Sequence, residues 1–160
     1  MKRSIFLFTM ALWLISMSAQ SFAHCQVPCG IYNDQMRIDM IDEDITTIEK
    51  AMNKINELSK AGTVNYNQLV RWINTKEEHA NKIQNVITEY FMTQKIKLPG
   101  VDPAKKAAYL EKLSLLHELL VYSMKAKQTT DLENVKKLRS TLESFEKAYF
   151  GPDYKKHEHH

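Results

Sequence analysis

Ile41-Asp42-Glu43-Asp44-Ile45-Thr46-Thr47-Ile48-Glu49-Lys50-Ala51-Met52-Asn53-Lys54-Ile55 sets its large apolar residues four, three, four and three positions apart. That spacing draws one apolar stripe along a helix and leaves charged residues on the other faces. The helical pattern starts near Asp34, and Gly62 is its expected stop. A second helix is expected from about Tyr66 to Ile96, with Leu98-Pro99-Gly100 breaking it. Its apolar face holds Trp72, Ile83, Val86 and Tyr90, and His79 falls on that face. The neighbouring run Lys76-Glu77-Glu78 reads as a solvated surface.

Asp102 followed by Pro103 reads as an N-cap with proline at the first helical position. The third helix then carries Leu110, Leu113, Leu116, Leu120 and Met124. Leu115, Leu119 and Val121 widen its apolar face, which points to a subunit contact. Thr130 with Glu133 reads as a capping box for a fourth helix. Val135, Leu138, Leu142, Phe145 and Tyr149 form its stripe, and Gly151-Pro152 ends it. No segment alternates as a strand does. Four amphipathic helices with short connections predict an all-α fold, an antiparallel four-helix bundle over residues 33–152.

Composition agrees with a single soluble domain: 44% hydrophobic and 26% charged residues, with only 4 Gly and 4 Pro among 160. The formal charge is +3, and without Lys2 and Arg3 it falls to +1, so no excess of charge points to nucleic acid. Those two residues begin a secretory signal. They are followed by a largely apolar stretch of 13 residues, Ile5 to Met17, and by Ser21-Phe22-Ala23, which places small residues at −3 and −1 of a cleavage site. The apolar run is shorter than the roughly 20 residues a membrane span needs, so no stable anchor is expected. Residues 1–23 are read as removed by signal peptidase or an equivalent protease. The chain is then exported, to the periplasm or outside the cell, with His24 as its first residue.

His24-Cys25-Gln26-Val27-Pro28-Cys29-Gly30-Ile31-Tyr32 contains both cysteines of the chain. In an oxidising compartment a Cys25–Cys29 disulfide is one reading. It would close a small loop and leave His24 without a role. A metal hook is the other. Cleavage before His24 frees an α-amine beside an imidazole; next come the Cys25 amide nitrogen and thiolate, then the Cys29 thiolate across a proline–glycine turn. A tetragonal set with nitrogen donors suits Ni(II) or Cu(II), and thiolates tend to reduce Cu(II), which favours nickel. Zinc fits less well, because CxxxC with one nearby His offers few ligands for a closed tetrahedron. A nickel or copper carrier could use the same hook without turnover.

His24-Cys25-x-x-Pro28-Cys29-Gly30-x-Tyr32 resembles the N-terminal nickel hook of the nickel superoxide dismutase family, and the helical remainder resembles that family's four-helix bundle. The resemblance implies one nickel ion per subunit, bound by His24, Cys25 and Cys29, with the His24 imidazole as axial ligand of the oxidised state. It implies that Tyr32 stands over the open face, where its hydroxyl orders water or guides superoxide. Pro28 and Gly30 shape the turn. Asp39, in Arg37-Ile38-Asp39, matches an acidic position of the first helix that holds the imidazole, and His79 stands where a common family pattern has arginine. The implied reaction disproportionates superoxide to dioxygen and hydrogen peroxide through Ni(II) and Ni(III), in a homohexamer. The tail, residues 153–160, ends in His157-Glu158-His159-His160 and reads as a polar, loosely metal-binding end outside the site.

Overall fold

Helix α1 (Asp34–Ser59) follows the apolar stripe of its sequence: Ile38, Ile41, Ile45, Ile48 and Met52 are fully buried and Ile55 nearly so. The computed structural model describes residues 33–151. The hook, the expected signal and the C-terminal tail lie outside the described residues, and so do His24, Cys25, Pro28, Cys29, Gly30 and Tyr32. Asn33 caps α1, its side chain accepting from the backbone N–H groups of Gln35 at 2.9 Å and Met36 at 3.3 Å.

Helix α2 (Tyr66–Asn85) runs without a break into a π-helical segment, Val86–Lys95. Helix α3 (Pro103–Gln128) starts as its sequence predicts, with Asp102 accepting from Ala104 N at 2.9 Å. Helix α4 (Glu133–Phe150) ends at Gly151, whose φ of 103° lies where residues bearing a Cβ are strained. Among the described residues there are four helices and no strand, an all-α bundle. Each helix packs on the next, and α4 closes back on α1. Short connections make neighbours antiparallel, so the start of α1 meets the ends of the π segment and of α4. No described helix is long and apolar enough to cross a membrane.

The core is one cluster. Phe91 lies edge-on to Phe145, with centroids 5.0 Å apart, and to Tyr149 at 5.5 Å. Each fully buried isoleucine contributes about 1.5–3 kcal/mol by leaving water.

Three local expectations are corrected. Lys76 is not solvated: it is 3% exposed, and its Nζ donates to the Ala126 carbonyl at 2.7 Å and to that of Lys127. Those carbonyls belong to the last turn of α3, where no intrahelical donor remains, so a cation from α2 is a fitting partner. Thr130 and Glu133 do not form a capping box. The helix starts at Glu133, whose N–H is accepted by Asp131 Oδ1 at 3.0 Å, while the Thr130 carbonyl accepts from Asn56 Nδ2 at 3.3 Å. On α3 the buried face is Leu116, Leu119, Ser123 and Ala126, whereas Leu110 and Met124 are exposed. A helix apolar on most sides does not reveal its inner face by period, and small residues there allow close approach of its neighbours.

Candidate metal centre

In sequence the cysteine-bearing segment stands just before α1, so the first turn of α1 is the nearest described part of the bundle. Asp34 is the hub of this turn. Its carboxylate accepts from Lys95 Nζ at 2.7 Å, from Tyr149 Oη at 2.8 Å and from Tyr90 Oη. Three elements therefore meet on one side chain: α1, the π segment and α4. Burial pushes the Asp34 carboxyl up, but the bonds from Lys95, Tyr90 and Tyr149 outweigh it and hold the group below its ordinary value. Burial, then the bond to Asp34, pushes the phenols of Tyr90 and Tyr149 upward, so both stay protonated as donors. The bond to Asp34 raises Lys95, which keeps its charge.

The π geometry makes this convergence possible. In an α-helix, residues five apart point about 140° away from each other. In a π-helix the i→i+5 bond stacks them. Ile96 N donates to the Phe91 carbonyl at 2.8 Å, and Gln94 Nε2 donates to that of Glu89 at 2.8 Å. Tyr90 and Lys95, five apart, can thus reach the same carboxylate. The Arg37 guanidinium lies 5.6 Å from the centre of the Tyr90 ring and adds positive charge to this end.

Asp39 and His79 take separate partners. Gln35 Nε2 donates to Asp39 Oδ1 at 2.9 Å and to Glu146 Oε1 at 3.0 Å, linking Asp39 to α4. His79 Nδ1 lies 2.6 Å from Asp44 Oδ1. Asp44 is five residues beyond Asp39 on the same α-helix, so the two carboxylates point about 140° apart. Burial pushes the Asp44 carboxyl up, a shift that the His79 bond opposes without cancelling. A histidine on an apolar face needs a polar partner, and Asp44 supplies it.

The sequence pattern did not single out Asp34, Lys95 or Asp44 as functional positions. Asp34 and Lys95 stand at helix ends, where periodicity says nothing of partners. Asp44 was legible only as an acid one position before Ile45, within a buried face. Pairing the registers of the first two helices, with acids on one opposite bases and phenols on the other, was the available signal.

Among the described residues no three His, Cys, Asp or Glu side chains gather to hold a metal ion. Both cysteines of the chain precede residue 33, so thiolate ligands can come only from the segment before α1. The two thiols and the His24 imidazole in that segment are donor types that fit nickel. The family model of nickel-containing superoxide dismutase matches residues 19–152, which takes in the cysteine segment and all four helices. No curated protein and no solved structure matches the chain.

Proposed function

The chain belongs to the nickel-containing superoxide dismutase family and is a superoxide dismutase, and from that membership we propose how its own residues carry the reaction. The observation that carries the proposal is that one family match takes in both the cysteine segment and the bundle.

Signal cleavage after Ala23 frees the amine of His24. That amine, the Cys25 amide nitrogen, the thiolates of Cys25 and Cys29, and the His24 imidazole would hold one nickel ion per subunit. Nickel held there would supply one-electron exchange between Ni(II) and Ni(III), the chemistry needed to turn 2 O₂⁻ + 2 H⁺ into O₂ + H₂O₂. Pro28 and Gly30 would shape the turn of the hook. The Tyr32 hydroxyl orders water and guides the small anion. Asp39 and His79 orient the His24 ring, as outer partners commonly do for ligating histidines. His79 meets Asp44 through Nδ1, which leaves Nε2 as its nitrogen for a second partner.

The enzyme is exported, to the periplasm or outside the cell, and works as a homohexamer. Exposed apolar residues on α3, Leu110 at 52% and Met124 at 42%, support a subunit contact.

The test is an intact mass of the exported protein, native and denatured, with a superoxide disproportionation assay on the same sample. A chain starting at His24 with one nickel per subunit and measurable turnover is expected. A metal-free chain two mass units light from a disulfide, or one starting elsewhere, would overturn the assignment of ligands.

A further inference from the structure

A cavity of about 480 Å³ opens between the end of the π segment, the loop that follows it, the first three turns of α3 and Tyr149 of α4. Lys95, Lys97, Lys105 and Lys112 line it, and no described acidic residue does. Lys95 is neutralised by Asp34, and Lys105 lies 3.9 Å from Asp102. Among the described residues neither Lys97 nor Lys112 has a carboxylate partner, and Lys112 instead lies over the Tyr149 ring, 5.6 Å from its centroid. Two uncompensated ammonium groups facing one hollow favour a doubly charged anion over a singly charged one.

The walls define the rest of the ligand. Leu98 and Pro99 form one side, and Ala108 and Tyr109 form another. Lys105, Ala108, Tyr109 and Lys112 are spaced i, i+3, i+4 and i+7, so one face of α3 presents charge at both ends and apolar surface between them. The volume lies within the range of sites for small organic ligands and far exceeds that of a bare inorganic ion. Gly100, at a φ of 66°, lets the chain turn sharply at the rim.

We propose that this cavity is a binding site for a small phosphate monoester with an apolar body, its head taken by Lys97 and Lys112 and its body laid against Ala108 and Tyr109. The proposal draws only on residues of the π segment, the loop after it, α3 and α4, and calls for no nickel.

Phenyl phosphate is the probe, titrated calorimetrically into the full protein as purified, with inorganic phosphate as the head alone and sodium chloride at matched ionic strength. Saturable 1:1 binding of phenyl phosphate is expected, with inorganic phosphate weaker by about tenfold, the loss of roughly one buried apolar contact set. The double change Lys97→Gln with Lys112→Gln should weaken phenyl phosphate by about tenfold or more. Ala108→Trp, at an exposed position, should fill the cavity and abolish binding while keeping both charges. Equal affinity for inorganic phosphate would overturn the organic class. Binding that survives Ala108→Trp, or that matched sodium chloride removes entirely, would overturn the site.

Discussion

Tyr149 Oη donates to Asp34 Oδ2 at 2.8 Å, joining the last turn of α4 to the first turn of α1 across 115 residues of chain. The same carboxylate also takes Tyr90 and Lys95 from the π segment. Tyr149→Phe removes one bond to a charged acceptor while keeping the ring's contacts with Phe91 and Phe145. A loss of about 1.5–3 kcal/mol is expected, measured by urea denaturation. In a double-mutant cycle with Asp34→Asn the two effects should not add, because both act on one network.

Acid should weaken this network. The Asp34 carboxyl is held below its ordinary value of 3.8, so its contribution is present above that value and is lost as pH falls through the depressed one. Asp44 runs the other way: its raised carboxyl favours the folded state most below 3.8 and loses that contribution as pH rises through its folded value. Thermal melts between pH 7 and pH 2.5 should fall steeply at the acid end in the wild type. Asp34→Asn should start less stable and fall less. An unchanged acid limb in Asp34→Asn would mean that another carboxylate governs it.

Lys76→Met replaces a buried ammonium by an apolar chain of similar length and strands the carbonyls of Ala126 and Lys127. A destabilisation of about 1–3 kcal/mol is expected. Hydrogen exchange should place the damage. The amide of Thr129, which donates to the Lys125 carbonyl at 3.2 Å, should exchange faster, while amides around Ile45 keep their order of protection.

His79→Ala tests the outer support of the metal centre. If His79 orients the His24 ring, turnover or nickel affinity should drop by about 10–100-fold with little change in helical circular dichroism. Asp44→Asn should give part of the same loss, because Asp44 holds the His79 ring at 2.6 Å. The Ni(III) electron paramagnetic resonance spectrum separates the two roles, since a purely structural histidine would leave it unmoved.

Cys25→Ser and Cys29→Ser should each abolish nickel binding and leave the helical content intact. Among the described residues the buried core runs from Ile38 to Phe145 and draws on all four helices. A variant that instead lost its helices would tie folding to the metal.

The apolar stripes of α1 and α4 were legible because each helix has one apolar face and a charged remainder. The start of α3 was equally plain, since Asp102-Pro103 has few other uses. The inner face of α3 was hidden, because leucines surround that helix and the residues at the seam are Ser123 and Ala126. Lys76 was misread because a lysine in a charged run is usually hydrated, and only a neighbour's helix end could justify its burial. The cysteine segment displays donor types in order, and the family match covers it. The Asp34 hub was not legible, because it depends on a π turn that periodicity cannot announce.

The burial of Lys76 also bears on covalent modification. Amine-directed reagents, and acyl groups that modify lysines in solution, meet its side chain only when α2 and α3 part. A mark on Lys76 is therefore a record of opening at that seam, written on the same chain whose other lysines report only exposure.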